Sequence, residues 1–420
     1  MTAVGTSGSL NAEAFGRVLR EHRVRAGRTQ QQLADTLRVK RATLSQWETG
    51  RHLPSPGKVD HLDTLLGARR ALVELAASIR GEVDDEVAAP VAPTPTTLRD
   101  VYQALGRAIV DNLVVDGNGS PQGWTRDFRR DLGVTPLSSA YAIKTLALID
   151  APYVDPHALG TWLHGAQERG GGWTSRGSGP RPEATAVVID ALSHIGGPKP
   201  LGPSLDVLES LTSGPARANT FILTSVLEVL ARMRPDSAFT RRTVRDLLAL
   251  RQAEGTLGVW PEKTSGAVGG RPRPSAAHTA RAVIALRILR ATGAATDADE
   301  VDEAVAAGTQ WLLSGSHDDV IRENLEPKDE HGRVRDLEIR HFTPALVARA
   351  LCLVEDPPWP RIQVLLDSLW SFYDAGLGLF VWPNGDVPIW LQYDAVTATR
   401  LAAERHAIVP QPRAVPDQQP

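Results

Sequence analysis

The sequence predicts an all-α protein with two domains, and three observations support this prediction. In the first seventy positions, apolar residues recur at the three- and four-residue spacings typical of short helices. In the later part of the chain, one helical pattern recurs six times. Between these regions, the acidic and then proline-rich stretch 81–97, GEVDDEVAAPVAPTPTT, has almost no large apolar residue. We therefore predict helical domains at 12–80 and 98–405, a linker at 81–97, and disordered ends at 1–11 and 406–420.

The composition limits the class of protein. The 420 residues are 42% hydrophobic and 23% charged, with a net charge of −3. A chain of this length and hydrophobic content can form two or three buried cores. Neither a run of about eighteen apolar residues nor a basic and apolar leader is present, so we expect a cytoplasmic, nucleoid-associated protein that does not bind membranes. The single cysteine, Cys352, excludes an internal disulfide. Arginine greatly outnumbers lysine, which is typical of a GC-rich bacterial genome.

The N-terminal region reads as five short helices with a basic surface. Breaks at Gly27, Arg38 and Gly50 divide its apolar residues into short helical segments. Thr29 is placed as the N-cap of a helix at 30–37, and a second helix at 40–49 follows after a short turn. Positions 15–58 contain ten basic and three acidic residues, although the whole chain is negative. Such a cluster is either a solvated surface or a site that displaces counterions from a phosphate backbone.

The stretch 29–56, TQQQLADTLRVKRATLSQWETGRHLPSP, resembles the XRE/Cro-repressor family of helix-turn-helix domains. The matching elements are the Thr-Gln that opens the first helix of the motif, its Leu-Ala pair, the Ser-x-Trp-Glu-x-Gly that closes the second helix, and the Pro-Ser-Pro that follows. The resemblance covers about sixty residues. One departure is Arg38, which stands where the family often has glycine and which is strained if its φ is positive.

The resemblance implies that the protein binds double-stranded DNA, with the helix beginning near Lys40 in the major groove. The implied base-reading residues are Arg41, Ala42, Thr43, Ser45 and Gln46. The implied phosphate contacts are Arg28, Gln30, Lys40 and Arg51. Arg41 could bridge the two acceptors of guanine and Gln46 could pair with adenine. The alternative is a helix-turn-helix that serves only for dimerisation or protein contact.

The later region contains six related segments: SAYAIKTL, ATAVVIDAL, NTFILTSVL, HTARAVIAL, FTPALVARAL and YDAVTATRL. Their aligned polar residues are Ser139, Thr185, Thr220, Thr279, Thr343 and Asp394. We expect each to cap the N-terminus of its helix, with a polar ring around a central cavity as the alternative. Second helices are predicted to start near Leu98, Pro156, Ser204, Thr240, Val301 and Pro360, which gives six helix pairs.

Four loops carry tryptophan before the repeated helix, at Trp124, Trp173, Trp260 and Trp382, and glycine lies close before three of them. Paired helices with such loops resemble the prenyltransferase and squalene cyclase repeat. The resemblance spans about 300 residues and implies an (α/α)6 toroid of inner and outer helices. In that fold the N-termini of the inner helices surround one mouth, where their dipoles favour an anionic ligand.

The motifs of toroid enzymes are not found. The nearest approach to an Asp-rich general acid is 297–300, Asp-Ala-Asp-Glu, which is interpreted as surface charge or a cap. The lone Cys352 does not reproduce the zinc ligands of prenyltransferases, and it is interpreted as a core residue. Glu183 and Asp394 are the one carboxylate pair that a glycosidase could use. We therefore predict no catalytic residues, no metal and no cofactor.

A set of aromatic and charged residues is predicted to bind a ligand at the mouth. The set comprises Trp173, Arg181, Glu183, Trp260, Arg273, His278, Arg340, His341, Trp382, Trp390, Tyr393 and Asp394. For the tryptophans, packing between repeats is the alternative. Arg181-Pro182 and Arg273-Pro274 occupy matched positions, which favours a carboxylate or phosphate partner.

Three functional hypotheses follow. The first is a homodimeric transcriptional regulator whose toroid senses a small, anionic ligand or a partner protein. The second is a terpenoid-cyclase-like or glycan-active toroid enzyme with an autoregulatory DNA-binding domain; turnover that depends on Glu183 or Asp394 would favour it. The third is an interaction scaffold in a stress or phage-defence locus, which a stable protein partner without any small-molecule effect would favour.

Overall fold

The computed structural model is mostly helical, as the sequence predicts. The structure describes residues 7–37, 39, 41–51, 54, 56–66, 68, 71–80, 97–151, 155–174, 179–196, 199–254, 257–261, 274–294, 297–315, 322–325, 337–382 and 385–406. Two compact units divide the chain, with residues 1–93 in the first and residues from Thr94 onward in the second, except that 382–386 is grouped with the first. The predicted linker falls almost wholly outside the described residues, as does the tail after His406.

The N-terminal unit consists of short helices around one apolar core. Its described helices are α1 (Ser7–Arg25), α2 (Gln30–Thr36), α3 (Arg41–Glu48), α4 (Pro56–Leu66) and α5 (Ala71–Arg80). Buried Phe15, Leu19, Leu33, Leu44 and Leu62 bring α1 to α4 together. Each such side chain contributes about 1.5–3 kcal/mol by leaving water. The apolar spacing seen in the sequence therefore corresponds to this core.

The first helix starts earlier than expected. Residues 7–11, predicted to be disordered, form the first turns of α1. Extending an existing helix adds one hydrogen bond per residue fixed, so a helix anchored by Phe15 and Leu19 can propagate toward the N-terminus at little cost. Small and polar composition alone was therefore a poor guide to disorder here.

Local geometry explains how α1, α2 and α3 are joined. Gly27 has a φ of 65° where the chain leaves α1. Thr29 caps α2 as predicted: its hydroxyl accepts from the Gln32 N–H at 3.1 Å, and the Gln32 side chain accepts from the Thr29 N–H at 2.9 Å. A Cβ on Gly16 would lie 2.6 Å from the Glu48 carbonyl oxygen, so α1 and α3 approach at this glycine.

The C-terminal unit alternates two sets of helices along the chain. One set, here called the outer helices, comprises α6 (Leu98–Asp111), α8 (Pro156–Gly165), α10 (Gly202–Leu211), α12 (Ala238–Ala249), α14 (Ala298–Ser314) and α16 (Trp359–Trp370). The other set, the inner helices, comprises α7 (Pro136–Leu148), α9 (Pro182–Ile195), α11 (Thr220–Met233), α13 (Ala276–Ala291), α15 (Thr343–Cys352) and α17 (Ile389–His406). Their order agrees with the predicted pairs.

The inner helices form a closed ring. Each packs against the next in the order α7, α9, α11, α13, α15 and α17, and α17 packs against α7. Each outer helix packs against one or both of its chain neighbours in this ring. The apolar core fills the layer between the two sets, with contributions from helices at both ends of the repeat. Inner helices are thereby buried on nearly all sides.

Short antiparallel hairpins connect several of the pairs. The described strands are β1 (Val114–Val115), β2 (Pro121–Gly123), β3 (Thr125–Asp127), β4 (Arg130–Val134), β5 (Gln252–Glu254), β6 (Leu257–Val259), β7 (Arg322–Leu325), β8 (Leu337–Arg340), β9 (Tyr373–Asp374) and β10 (Leu379–Phe380). They pair as β1 with β2, β3 with β4, β5 with β6, β7 with β8, and β9 with β10. The hairpins β1–β2, β3–β4, β5–β6 and β9–β10 lie in loops that carry Trp124, Trp260 and Trp382, whereas β7–β8 lies in a loop without such a motif.

Contacts between the first and last pairs join the two ends of the repeat. Tyr102 on α6 and Thr399 on α17 share a hydrogen bond of 2.9 Å between their hydroxyls. The Phe128 N–H donates to the Val387 carbonyl at 3.1 Å, and the Val387 N–H donates to the Asp127 carboxylate at 3.0 Å. The ring is therefore closed by polar contacts as well as by helix packing.

Candidate functional site

Helix α3 presents a polar face to solvent. Leu44 and Trp47 are buried on its inner side. Of the predicted base-reading residues, Arg41, Ala42 and Gln46 are exposed, while Thr43 and Ser45 are half-buried. All five lie on one short helix whose other face is fixed in the core, which is the arrangement that direct readout of a groove requires.

A buried carboxylate fixes the end of α3. Glu48 is only 8% exposed, and its two oxygens accept from Arg23 Nε on α1 at 2.5 Å and from Gln30 Nε2 on α2 at 2.7 Å. Arg23 also donates to the Arg28 carbonyl at 2.7 Å, in the loop before α2. One side chain thus ties three helices together, and charge-assisted bonds of this kind are stronger than neutral ones. Gln30, predicted as a phosphate contact, is instead committed to Glu48 in this structure.

The basic surface divides into structural and available cations. Arg23 pairs with Glu48, and the Lys58 ammonium donates to the Leu37 carbonyl at 2.8 Å, so these two hold the fold. Arg51 is exposed, and Arg28 is half-buried with a long contact of 3.4 Å to the Thr36 hydroxyl. Lys40 and Arg38 lie outside the described residues. Arg28 and Arg51 stay predicted phosphate contacts.

In the C-terminal unit, three tryptophans join an outer helix to the next inner helix. The backbone N–H groups of Trp124, Trp173 and Trp260 donate to the hydroxyls of Ser139, Thr185 and Thr279 at 2.9, 2.9 and 3.0 Å. Their indole N–H groups donate to the carbonyls of Ile109, Leu163 and Leu247, in the last turns of α6, α8 and α12. We call each such set a Trp latch. It satisfies one of the free carbonyls at a helix C-terminus.

The Trp latches correct two predictions. Ser139, Thr185 and Thr279 are each the fourth residue of their helix, so they do not cap it. The side-chain caps of the inner helices come from residues that lie just before them, Thr135, Asn219 and Ser275. Trp173 and Trp260 are fully buried with both N–H groups bonded inside the latch, so they pack between helices and are not available to a ligand.

Glycine before tryptophan has a physical reason in two of the latches. Gly123 and Gly172 have φ values of 95° and 76°. A Cβ at these positions would lie 2.1 Å from the Ser139 hydroxyl and 2.8 Å from the Thr185 hydroxyl. Only glycine therefore allows the tryptophan N–H to reach its acceptor.

A fourth latch uses different residues and was not predicted. The Phe380 N–H donates to the Gln392 side-chain oxygen at 2.8 Å, and the Gln392 amide donates back to the Phe380 carbonyl at 2.7 Å. Gln392 is the fourth residue of α17, which makes it the counterpart of Ser139, whereas the sequence alignment selected Asp394. Trp382 is buried in the following loop, and Trp390 is half-buried with Arg126 4.9 Å above its ring.

A polar cavity lies where the six inner helices meet. The space open to the centre of a water molecule is about 20 Å³. Every inner helix contributes to its lining, which consists of Tyr141, Lys144, Val187, Asp190, Ser225, Glu228, Val229, Arg281, Arg349, Tyr393 and Asp394. Only Tyr393 and Asp394 of the predicted ligand-binding residues are among them. The volume suffices for about one water molecule.

Ion pairs fill most of the space around this cavity. The Lys144 ammonium lies 2.7 Å from Asp190, which also pairs with Arg232. Burial alone would lower the pKa of Lys144, but Asp190 raises it above its ordinary value. Burial alone would raise the pKa of Asp190, but Lys144 and Arg232 lower it to about 2. The three groups are charged at neutral pH.

A second pair lies across the ring, on α11 and α15. Arg349 donates to Glu228 at 3.1 Å, and both side chains are nearly buried. Against the opposing effect of burial, Arg349 lowers the pKa of Glu228. Two tyrosines complete this layer: burial raises the pKa of Tyr141 to about 12, and the Tyr393 ring lies 4.3 Å from the Lys144 ammonium.

Asp394 and Arg281 lack such pairing. Asp394 is 4% exposed, and its Oδ2 has no hydrogen-bond partner among the described residues. Burial raises the pKa of Asp394 to about 6, although Arg281 and Arg349 oppose the shift. The Arg281 Nε is likewise buried without a partner in the described part of the chain, and its guanidinium lies 5.0 Å over the Phe221 ring. These two groups can receive a further polar partner.

The remaining predicted ligand residues lie nearer the starts of the inner helices. Arg181 precedes α9 and pairs with Glu183 at 2.5 Å; burial raises the pKa of Glu183 in spite of this pair. His278 and His341 are buried in edge-to-face contact, with 5.1 Å between ring centroids. The side chains of Arg273 and Arg340 lie outside the described set.

Sequence reasoning missed the charged residues that line the cavity, apart from Asp394. Lys144 and Asp190 each stand five residues after the aligned Ser139 or Thr185, alone within an apolar run. A buried charge is rare unless it is paired, so a lone charge at a matched position in such a run was the available signal. Neither a helix long and apolar enough to cross a membrane nor a group of three His, Cys, Asp or Glu residues suited to a metal occurs among the described residues.

Comparison with known proteins bears on the N-terminal unit. The family model described as Helix-turn-helix domain matches residues 14–76, which covers most of α1, all of α2 to α4 and the first part of α5. No curated protein matches the chain. The chain therefore carries an N-terminal helix-turn-helix domain, of the kind found in DNA-binding regulators.

Proposed function

We propose that this protein is a sequence-specific, DNA-binding transcriptional regulator that acts as a homodimer and responds to a ligand held by its C-terminal unit. The observation that carries the proposal is α3, whose Arg41, Ala42 and Gln46 are exposed while Glu48 fixes the helix to α1 and α2. A helix fixed on one face and polar on the other can present several side chains to base edges in one geometry.

Dimerisation belongs to the proposal because one helix-turn-helix usually reads only a half-site. Two copies on a palindrome would be separated by one helical turn of DNA, about 34–36 Å. Sedimentation of the full-length protein with and without operator DNA measures this directly. A single protein chain per operator at saturation contradicts the dimer.

For the C-terminal unit, we propose the (α/α)6 toroid that the repeat resembles. The closed order of inner helices and the alternation with outer helices support it. We further propose that the toroid binds and does not catalyse. Asp190 and Glu228 are held in ion pairs, as is Glu183 outside the lining, so Asp394 is the one carboxyl group among the described lining residues that forms no ion pair.

The polar cavity is also poorly suited to a terpenoid substrate. A prenyl chain needs a large apolar cavity, whereas this one is lined by charged and hydroxyl groups and has about 20 Å³ open to water. Incubation of the full-length protein with prenyl diphosphates or oligosaccharides should give no product. Turnover abolished by Asp394→Asn or Glu183→Gln would replace the regulator hypothesis with the enzyme hypothesis.

Selection of binding sequences from a random DNA pool tests the regulator proposal. We expect a palindromic consensus with the wild-type protein. Arg41→Ala should relax the preference at one base of each half-site, by about 1–3 kcal/mol, while the salt dependence of binding stays the same. Arg51→Ala should weaken binding to all sequences and reduce the salt slope by about 1.

Arg99→Ala is the matched control, since Arg99 is exposed on α6 in the C-terminal unit and its loss removes the same charge. It should leave both the consensus and the salt slope unchanged. If the wild-type protein selects no consensus, the helix-turn-helix serves protein contact and the proposal is wrong.

A further inference from the structure

The charges that line the central cavity balance only while Asp394 is ionised. Three cations, Lys144, Arg281 and Arg349, line it with three carboxyl groups, Asp190, Glu228 and Asp394, and Arg232 pairs with Asp190 from outside the lining. Asp190 holds Lys144 and Arg232, and Glu228 holds Arg349. One positive charge is therefore in excess in the lining when Asp394 is protonated.

The excess is located at Arg281. Its guanidinium has no carboxylate within ion-pair distance among the described residues and rests over Phe221, while its buried Nε lacks an acceptor. Asp394 lines the same cavity with a buried oxygen that lacks a donor. Buried polar groups of this kind are normally completed by water or by a bound group. A negatively charged guest would satisfy Arg281, but it would be repelled by an ionised Asp394.

We propose that the central cavity binds one small monoanion, the size of chloride, nitrate or formate, together with one proton on Asp394, with Arg281 as the counter-charge. This inference rests on the proposed function, since it names the class of ligand to which the C-terminal unit responds. Binding is a simple association: the anion enters, Asp394 takes up a proton from solvent, and no bond in the anion is broken.

The size of the cavity sets the size of the anion. About 20 Å³ open to a water centre leaves room for one small group but not for a diphosphate or a sugar acid. Gluconate is therefore too large to enter the cavity, and it serves as the reference anion in the experiment.

Where the pKa of another group that faces Asp394 is shifted, the shift keeps the charge of that group constant near neutral pH. From α7, Tyr141 and Lys144 keep their protons, and from α9 and α11, Asp190 and Glu228 stay ionised because their pKa values are lowered. From α13, α15 and α17, Arg281, Arg349 and Tyr393 complete the lining, with Ser225. His194, 3.9 Å from Asp190 and outside the lining, has a pKa that burial lowers. Asp394, with a pKa of about 6, is the lining residue that changes charge between pH 5 and 8.

The test is titration calorimetry and thermal unfolding of the full-length protein in sodium gluconate, with sodium chloride, nitrate or formate replacing gluconate at constant ionic strength. The small anions should bind with a stoichiometry of one per chain and raise the Tm. Because only the protonated Asp394 accepts the anion, affinity should be roughly 25-fold tighter at pH 5.5 than at pH 7.5. Chloride, nitrate and formate should compete for one site, and their relative affinities identify which of these anions fits the cavity best.

Variants at the two groups make the test specific. Asp394→Asn, which imitates the protonated acid, should keep anion binding and remove its pH dependence. Arg281→Gln should abolish binding, whereas Arg287→Gln, on the same helix but outside the lining, should not. Equal effects of chloride and gluconate on the wild-type protein, or an unchanged chloride effect in Arg281→Gln, would overturn the proposal. If Arg281→Gln does not fold, chloride-35 NMR line broadening on the wild-type protein and its reversal by nitrate decide the matter.

Operator binding is measured separately in gluconate, so the two proposals fail independently. Loss of a DNA consensus with an intact anion site rejects the regulator and keeps the site. An intact consensus without anion binding rejects the site and keeps the regulator.

Discussion

The wall of the ring and its axis bury polar groups in opposite ways. In the wall, between outer and inner helices, each Trp latch uses neutral donors and acceptors, and both N–H groups of the tryptophan are satisfied. At the axis, charged side chains from six helices meet, and Asp394 and Arg281 stay incompletely bonded. Buried polar groups whose hydrogen bonds are all formed stabilise a fold. Buried polar groups without partners cost free energy, and a bound ligand can offset that cost by supplying the missing hydrogen bonds. The comparison locates the folding determinants in the wall and the candidate function at the axis.

The largest expected effect on stability comes from removing a tryptophan of a Trp latch in the wall. Trp173→Ala removes a fully buried indole and the hydrogen bond that it donates to the Leu163 carbonyl, and it should lower the free energy of unfolding by about 3–5 kcal/mol. Urea denaturation followed by circular dichroism measures the loss. Trp359→Ala is the matched control, because Trp359 is only half-buried and stacks on His406, and its loss should cost clearly less. Equal losses would mean that the latch is not a folding determinant.

A smaller effect, of opposite sign, is expected at the axis. The pKa of Asp394 is raised by burial from 3.8 to about 6, so the folded state binds the proton more tightly than the unfolded state. Stability should therefore rise as pH falls from about 6 to 4, and the ionised acid costs about 3 kcal/mol above pH 6. Asp394→Asn should raise the free energy of unfolding by about that amount at pH 8 in gluconate.

The same variant should remove the gain in stability between pH 6 and pH 4. Denaturation curves at pH 8, 6 and 4 for both proteins test the sign and the range together. A destabilised Asp394→Asn protein at pH 8 would show that the ionised carboxylate is held by the surrounding cations, and the contrast between axis and wall would then disappear.

The smallest effect sharpens the description of the latch. Thr185→Val keeps the shape of the side chain but removes the acceptor of the Trp173 N–H, leaving a buried donor unpaired. The cost should be about 1–3 kcal/mol. Thr185→Ser retains the hydroxyl and serves as control; it should recover most of that difference in urea denaturation. Equal stability of the valine and serine variants would leave packing alone as the role of Thr185.

The helix-turn-helix could be predicted from the sequence because its signals are local. Thr29 with Gln32, the glycines at helix ends, and one apolar side per helix each determine the structure within a few residues. The role of Gln30 could not be predicted in the same way. Its partner Glu48 lies eighteen residues away, and the polar face of a helix does not reveal which residues turn inward to a distant carboxylate.

The repeats were visible as six helical segments, but their roles were partly misassigned. A hydroxyl near a helix start fits both a cap and a latch, and only the position of the Trp173 backbone distinguishes the two for Thr185. The axis was hidden for another reason. In α9, every residue from Glu183 to Leu192 is buried, so no apolar side separates the face toward the axis from the face toward the wall. The same burial on all sides concealed Lys144 and Asp190.

Ring closure has a consequence for how the protein is made. An open solenoid grows one repeat at a time and needs special repeats at its ends, whereas a closed ring has no ends. Here α7 can pack against α17 only after α17, the last helix of the ring, has been synthesised. The hydrogen bonds of Tyr102 with Thr399 and of Asp127 with Val387 can likewise form only then. The axis, with Lys144 from α7 and Asp394 from α17, is assembled only when that helix leaves the ribosome. A prematurely terminated chain would carry a finished helix-turn-helix without a finished cavity, and any control that the cavity exerts would be absent from it.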